Sequence, residues 1–221
     1  MSEPPEPTAQ DVKEAVLWAA QEMLRSGLVE GTAGNLAGRL PDGNVVLTPS
    51  SLDYLQMTLD DLVVCDLDGN VVEGDRSPTT EKALHTTVMR TYPEVGATMH
   101  CHAKHVQMFA VTHQPIPAIV EEFDVYVGGD VACSDYRETG SQELADEIAA
   151  RVADRAAVVM ANHGLFACGK SPKDVLHIAS LVERTAEVVW GARVLGPIVP
   201  VPQDVGDKYA SFYRFGRTGK F

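Results

Sequence analysis

Apolar residues recur at helical spacing near the start of the chain: Val12, Ala15, Val16, Ala19 and Met23 share one face of residues 10–26, and Gly27 follows where a helix would be capped. The pattern predicts a first helix that faces a core. A run of small residues, Gly31-Thr32-Ala33-Gly34-Asn35, reads as a loop, and residues 44–48 read as a strand entered through the Pro41-Asp42-Gly43 turn. Residues 62–66 and 70–72 form a predicted hairpin about Asp68-Gly69. Pro78 can open a helix, continued over 80–90 until Pro93 stops it. There follow a strand over 95–101, a short helix over 102–111, an irregular strand over 119–127 and a helix over 141–152 capped by Ser141. Two strands, 156–160 and 165–168, flank Asn162-His163-Gly164, and a long helix over 171–194 carries Val175, Ile178, Ala179, Val182 and Val189 on one stripe. Helices alternating with strands, some joined as hairpins, predict an α/β fold with a central mixed sheet.

The chain has 221 residues, which suits one such core, with a flexible tail over 1–9, a domain over 10–207 and a C-terminal tail over 208–221. A formal net charge of -13 disfavours nucleic acid and anionic membrane surfaces as partners and favours a small molecule. No apolar run approaches the ~20 residues needed to span a bilayer as a helix. The start of the chain, residues 1–7, is acidic and proline-rich and lacks the cationic and apolar stretches of a signal peptide. Cys65, Cys101, Cys133 and Cys168 show no paired spacing, which points to a reducing, cytoplasmic setting.

Candidate chemistry gathers on histidine. His100 and His102 lie two apart at a strand end, so alternation puts both rings on one face, where they could chelate one ion. Alone, this pair is a weak signal. Glu81, in the first turn of a helix, and His163, in the turn between two strands, are the natural completion, although capping and backbone bonding would explain each singly. His85 and His105 are expected to orient ligands from behind, while His113 and His177 have no partner in sequence. For an anion, Gly31–Asn35 offers small residues that let backbone N–H groups approach closely, and Thr48-Pro49-Ser50-Ser51 and Ser77-Pro78-Thr79-Thr80 add hydroxyls, the second at a helix N-terminus.

With these blocks in order, the chain resembles the class II aldolase/adducin family, most closely its fuculose-1-phosphate aldolase branch, over about residues 10–195. The matching blocks are Gly31–Asn35, Thr48–Ser51, Pro78–Glu81, His100-Cys101-His102 and Asn162-His163-Gly164. The resemblance implies a three-layer α/β/α fold, a homotetramer with sites between subunits, and a divalent metal, usually Zn2+, with Mn2+ or Co2+ as alternatives. It implies metal ligation by Glu81, His100, His102 and His163, and a phosphate pocket of Gly34, Asn35, Ser50, Ser51, Thr79 and Thr80. The implied reaction is reversible cleavage of a ketose 1-phosphate to dihydroxyacetone phosphate and a small aldehyde, with Glu81 as acid/base. A sugar-phosphate 4-epimerase, a dehydratase, a decarboxylase or a non-enzymatic adducin-like module are the alternatives on the same scaffold. Where that branch carries a tyrosine proton donor, the matching stretch ending in Tyr126 has acids and a one-residue shift. The C-terminal segment interleaves Lys208, Arg214, Arg217 and Lys220 with Tyr209, Phe212, Tyr213, Phe215 and Phe221, and composition alone leaves docking and disorder both open. By the resemblance, the segment is expected to cover part of the pocket and to supply a donor such as Tyr209 or Tyr213.

Overall fold

The first helix, α1 (Ala9–Arg25), begins at a reciprocal cap: the Asp11 N–H donates to the Thr8 hydroxyl while the Thr8 N–H donates to the Asp11 carboxylate. Its buried side, Val12, Val16, Ala19, Ala20 and Met23, follows the stripe expected from the sequence, except that Ala15 is half-buried and Ala20 joins it. The computed structural model describes residues 6–218, so residues 1–5 of the expected N-terminal tail, and Lys220 and Phe221, lie outside the described part.

The next strands, β1 (Asn35–Arg39), β2 (Val45–Leu47), β3 (Val63–Cys65) and β4 (Val71–Glu73), form a meander. Helix α2 (Lys82–Thr91) leads to β5 (Ala97–Cys101), followed by α3 (Lys104–Thr112), α4 (Glu121–Val127) and α5 (Gln142–Arg151). The strands β6 (Ala157–Met160) and β7 (Gly164–Gly169) precede α6 (Pro172–Leu195) and α7 (Gln203–Thr218). One seven-stranded sheet results, in the order β4-β3-β2-β1-β5-β7-β6.

Strand alternation divides the interior in two. Leu36, Val46, Ala97, Met99, Cys101, Leu165 and Val159 point to one face, where they pack with residues of α1, α3 and α6. Ala37, Leu47, Val158, Phe166 and Cys168 point to the other, against Leu84, Val88 and Met89 of α2 and Leu144 and Ile148 of α5. This is the three-layer α/β/α arrangement that the resemblance implies.

Four local expectations change. The named strands pair antiparallel throughout, and the parallel share of the expected mixed sheet is the bridge between Cys133 and Val159. Strand β1 begins at Asn35, the last residue of the expected small-residue loop, and runs on to Arg39. Its Gly38 is required by packing, because a Cβ there would stand 2.7 Å from Val16 Cγ2 and 2.9 Å from Val12 Cγ1. The segment expected as an irregular strand over 119–127 is instead the helix α4, with Phe123 and Val127, four apart, buried together. The expected tail beginning at Lys208 lies inside α7, which packs on α4 and is pinned by Arg217. That guanidinium donates to the carbonyls of Val152 (2.6 Å) and Arg155 (2.8 Å) and pairs with Glu94 at 3.0 Å. Among the described residues, no helix is long and apolar enough to cross a membrane.

Candidate active site

One end of the sheet collects the predicted residues. Antiparallel neighbours bring together the start of β1, the end of β2, the end of β5 and the start of β7, with Asn35 opposite His100 and His100 opposite Phe166. His100 is fully buried at the end of β5, His102 follows it, and His163 stands in the turn that opens β7. Their candidate ligand nitrogens lie within 4.8 Å of one another, His100 Nε2 and His102 Nε2 being 3.0 Å apart.

Protonation follows from the partners. His100 Nδ1 lies 3.0 Å from the Leu165 carbonyl, which can only accept, so Nδ1 carries the proton and Nε2 offers its lone pair to the site. Burial, reinforced by His163 and His102, holds His100 well below the usual histidine range. Burial and the neighbouring His163 lower His102, and burial lowers His163 against the opposing pull of Glu81. Three neutral rings therefore converge, the form in which imidazole binds metals.

Glu81 completes the cluster from the N-terminus of α2. Its Oε2 is 3.4 Å from His100 Nε2 and its Oε1 is 3.7 Å from His163 Nε2. Oε1 is buried and accepts no hydrogen bond, a costly state for a carboxylate oxygen unless a cation or a substrate proton meets it. Three imidazole nitrogens and an orphaned carboxylate oxygen around one point fit a divalent transition metal.

The turn that presents His163 is held by residues outside the expected set. Asn162 adopts a left-handed conformation (φ 56°), its side-chain oxygen lies 2.6 Å from His113 Nε2, and Gln107 Nε2 donates to the His163 carbonyl at 3.1 Å. His113, which has no partner in sequence, thus has one in space, across 49 residues of chain. His85 stands behind the site and reaches it through Asn35, whereas His105 bonds Glu183 at 2.8 Å and touches none of the four candidate ligands. His177 packs edge-on against Tyr126, with ring centroids 4.8 Å apart.

The hydroxyl-rich segments meet beside Glu81. The Ser50 N–H donates to the Ser77 carbonyl at 3.0 Å and the Thr79 N–H to the Thr48 carbonyl at 3.2 Å, so 48–51 and 77–80 run side by side. Ser50 and Ser51 hold their hydroxyls 3.4 Å apart, Thr79 is buried and Thr80 exposed. Gly34 has φ +76°, and its carbonyl accepts from the Tyr54 hydroxyl at 2.7 Å. Asn35, expected in the phosphate pocket, also has both ends of its buried amide engaged, Nδ2 with Glu81 Oε2 at 2.8 Å and Oδ1 with His85 Nε2 at 2.6 Å.

Within its own chain the C-terminal segment lies away from the four candidate ligands. Tyr213 is raised in pKa by burial, and its hydroxyl accepts from Arg217 Nη1 at 3.1 Å. It walls a cleft of about 410 Å³ with Cys168, Gly169 and Tyr126, and none of the four candidate ligands lines that cleft. Gly169 is the far end of the strand that Gly164 opens beside His163, roughly 17 Å away at ~3.3 Å per residue. A second cleft, of about 500 Å³ between α4 and α7, is likewise clear of the histidines.

The sequence family described as Class II Aldolase and Adducin N-terminal domain matches residues 14–190. A 5-deoxy-D-ribulose 1-phosphate aldolase from Bacillus thuringiensis serovar kurstaki is 31% identical over 196 residues, covering 88% of this chain and 92% of the relative. An L-ribulose-5-phosphate 4-epimerase, UlaF, from Salmonella paratyphi C is 32% identical over 202 residues, covering 85% and 88%. Among solved structures, an L-fuculose 1-phosphate aldolase superposes with a TM-score of 0.88 at 30% identity, covering 94% of this chain and 98% of that one.

Proposed function

The chain belongs to the class II aldolase and adducin family and is an enzyme of its metal-dependent lyase kind, and from that premise we propose that it is an aldolase that reversibly cleaves a ketose 1-phosphate. The products are dihydroxyacetone phosphate and a small aldehyde. The observation that carries the reading is the convergence of His100, His102 and His163 on a buried Glu81 whose Oε1 has no donor.

In this reading the four residues hold the metal. Zinc suits three neutral imidazoles and a carboxylate, and manganese or cobalt could replace it. Bound there, such a cation supplies Lewis-acid stabilisation of negative charge on substrate oxygens. Glu81 does the proton work: in the condensation direction its carboxylate takes a proton from the carbon beside the ketone, the electron pair left on that carbon forms the bond to the aldehyde carbon, and the aldehyde C=O pair moves onto its oxygen, which takes a proton from solvent. Cleavage runs the same steps backwards, with Glu81 returning the proton. Gly34, Asn35, Ser50, Ser51, Thr79 and Thr80 bind the phosphate with neutral donors, consistent with a chain of net charge -13, and Asn35 also donates one amide N–H to Glu81. The exposed Trp18, Val188 and Trp190 of α1 and α6 suit burial against other copies in a homotetramer. The four free cysteines suit the cytoplasm.

One alternative has a specific observation behind it, the 4-epimerase relative at 32% identity. Epimerisation at that carbon uses the same bond cleavage, followed by rejoining on the opposite face. The deciding experiment incubates the metal-loaded protein with dihydroxyacetone phosphate and a panel of small aldehydes, and separately with a ketopentose 5-phosphate. New ketose 1-phosphate in the first arm supports the aldolase; a new epimer in the second, with none in the first, replaces it.

A further inference from the structure

Glu81 is held from behind by a buried line of hydrogen bonds whose direction can be worked out from one end. Thr98 Oγ1, on β5 two residues before His100, lies 2.7 Å from His85 Nδ1; His85 Nε2 lies 2.6 Å from Asn35 Oδ1; and Asn35 Nδ2 lies 2.8 Å from Glu81 Oε2. Thr98 and His85 have no exposed surface and Asn35 has 5%, so these groups depend on one another for partners.

The carboxylate fixes the order. An ionised Glu81 only accepts, so the Asn35 amide must face it with nitrogen, which turns the amide oxygen toward His85. His85 must then donate from Nε2. Burial pushes its pKa down to about 3, so the ring is neutral, Nδ1 is bare, and the Thr98 hydroxyl donates to it. The other histidine tautomer would favour a flipped amide that sets oxygen against Glu81 Oε2, a repulsive contact. The carboxylate thus sets the amide orientation, the ring supports that orientation by donating from Nε2, and the amide tethers one carboxylate oxygen.

We infer that His85 is a positioning residue for the carboxylate that moves the proton: through Asn35 it tethers Glu81 Oε2, and leaves Oε1 as the oxygen that meets the cation or the substrate proton. The inference rests on the reading of Glu81 as acid/base. It gives the two oxygens separate tasks, since Oε1 is buried without a donor while Oε2 has one. It also accounts for a fully buried histidine, whose ring centroid lies 5.9 Å from that of Phe166.

The test is a mutant cycle on full-length metal-loaded protein, with metal affinity and thermal melting measured beside turnover. His85→Phe fills the space without the donor and should lower kcat roughly ten- to a hundredfold, the loss expected when a hydrogen bond to a charged group is set free. KM for the phosphate ester should stay within about twofold, because the phosphate segments are untouched, and metal affinity should fall about tenfold, as for other residues that orient ligands. His85→Gln keeps an N–H donor and should restore most of the rate. In an Asn35→Ala background His85→Phe should add little further loss, since His85 acts only through Asn35. An equal further loss in that background, or wild-type kcat in folded His85→Phe, overturns the inference. If His85→Phe does not fold, Asn35→Ala carries the test, because it removes the donor to Glu81 without adding charge; an unchanged kcat there overturns the inference. Glu81→Gln separates the two claims. Full turnover in Glu81→Gln removes the acid/base reading and the inference with it, whereas lost turnover in Glu81→Gln with normal His85→Phe removes the inference alone.

Discussion

Replacing Gly34 with alanine separates two reasons for a glycine beside the site. Backbone conformation is the first: at φ +76° an L-residue costs about 1–2 kcal/mol. Contact is the second. An added Cβ would stand 2.7 Å from the His100 carbonyl oxygen and 2.7 Å from Val29 Cγ1. The valine methyl can rotate away, but the carbonyl belongs to the central strand β5 and moves only with its neighbours. Relief of that kind adds about 1–3 kcal/mol of local strain, giving roughly 2–5 kcal/mol in all. For a chain of this size that corresponds to a melting shift of about 4–20 °C, at about 2–4 °C per kcal/mol. Gly31 is the internal control. It has φ +60° and nothing within 4 Å of an added Cβ, so Gly31→Ala should show the backbone cost alone, about 1–2 kcal/mol. Melting of both variants by circular dichroism, with a metal titration of each, gives the comparison. Gly34→Ala should also weaken metal binding, because the strain falls on the backbone of His100. If the two variants melt together and bind metal alike, the close approach of Gly34 to His100 is not what requires glycine.

Three further outcomes follow from the same contacts. His85 has an ordinary pKa near 6.5 when unfolded and about 3 when folded, so the unfolded chain binds the extra proton; its contribution is whole above pH 6.5 and is lost as pH falls toward 3. Urea midpoints from pH 7.5 to 5 should therefore fall less steeply in His85→Phe, by up to about 1.4 kcal/mol per pH unit, and equal slopes would refute this. Arg217→Met keeps the aliphatic stem but frees the Val152 and Arg155 carbonyls and Glu94, and should cost about 3–5 kcal/mol in denaturant titration with metal content unchanged. Thr79→Val should raise KM for the phosphate ester by the equivalent of about 1–3 kcal/mol, and an unchanged KM moves the phosphate elsewhere.

Where the sequence was readable, the cause of the structure was local. The α1 stripe and the Ser141 cap, whose hydroxyl accepts from the Leu144 N–H at 3.1 Å, depend on residues within a few positions. The elements it did not reveal depend on distant partners. Strand β1 contains Gly38, which reads as a break until α1 is seen pressing Val12 and Val16 onto it. Phe123, Val125 and Val127 alternate like a strand, yet Phe123 and Val127 share the buried side of α4. Helix α7 holds Gly206 and Gly216, poor helix formers, and is held by packing on α4 and by Arg217. The site divides the same way. His100 and His102 were visible as a pair on one strand face, and the ordered motifs pointed to Glu81 and His163. The engagement of Asn35 between His85 and Glu81 joins residues 35, 81 and 85 across three hydrogen-bonding groups, which no spacing along the chain encodes.

The central claim is that Glu81, His100, His102 and His163 form one metal site. Elemental analysis of protein purified without added metal tests it most directly, beside the double variant His100→Ala, His102→Ala. The account predicts about one divalent transition metal per chain in the wild type and close to none in the variant, as for a site that loses half its ligands. A folded double variant that retains the full complement of metal would contradict it.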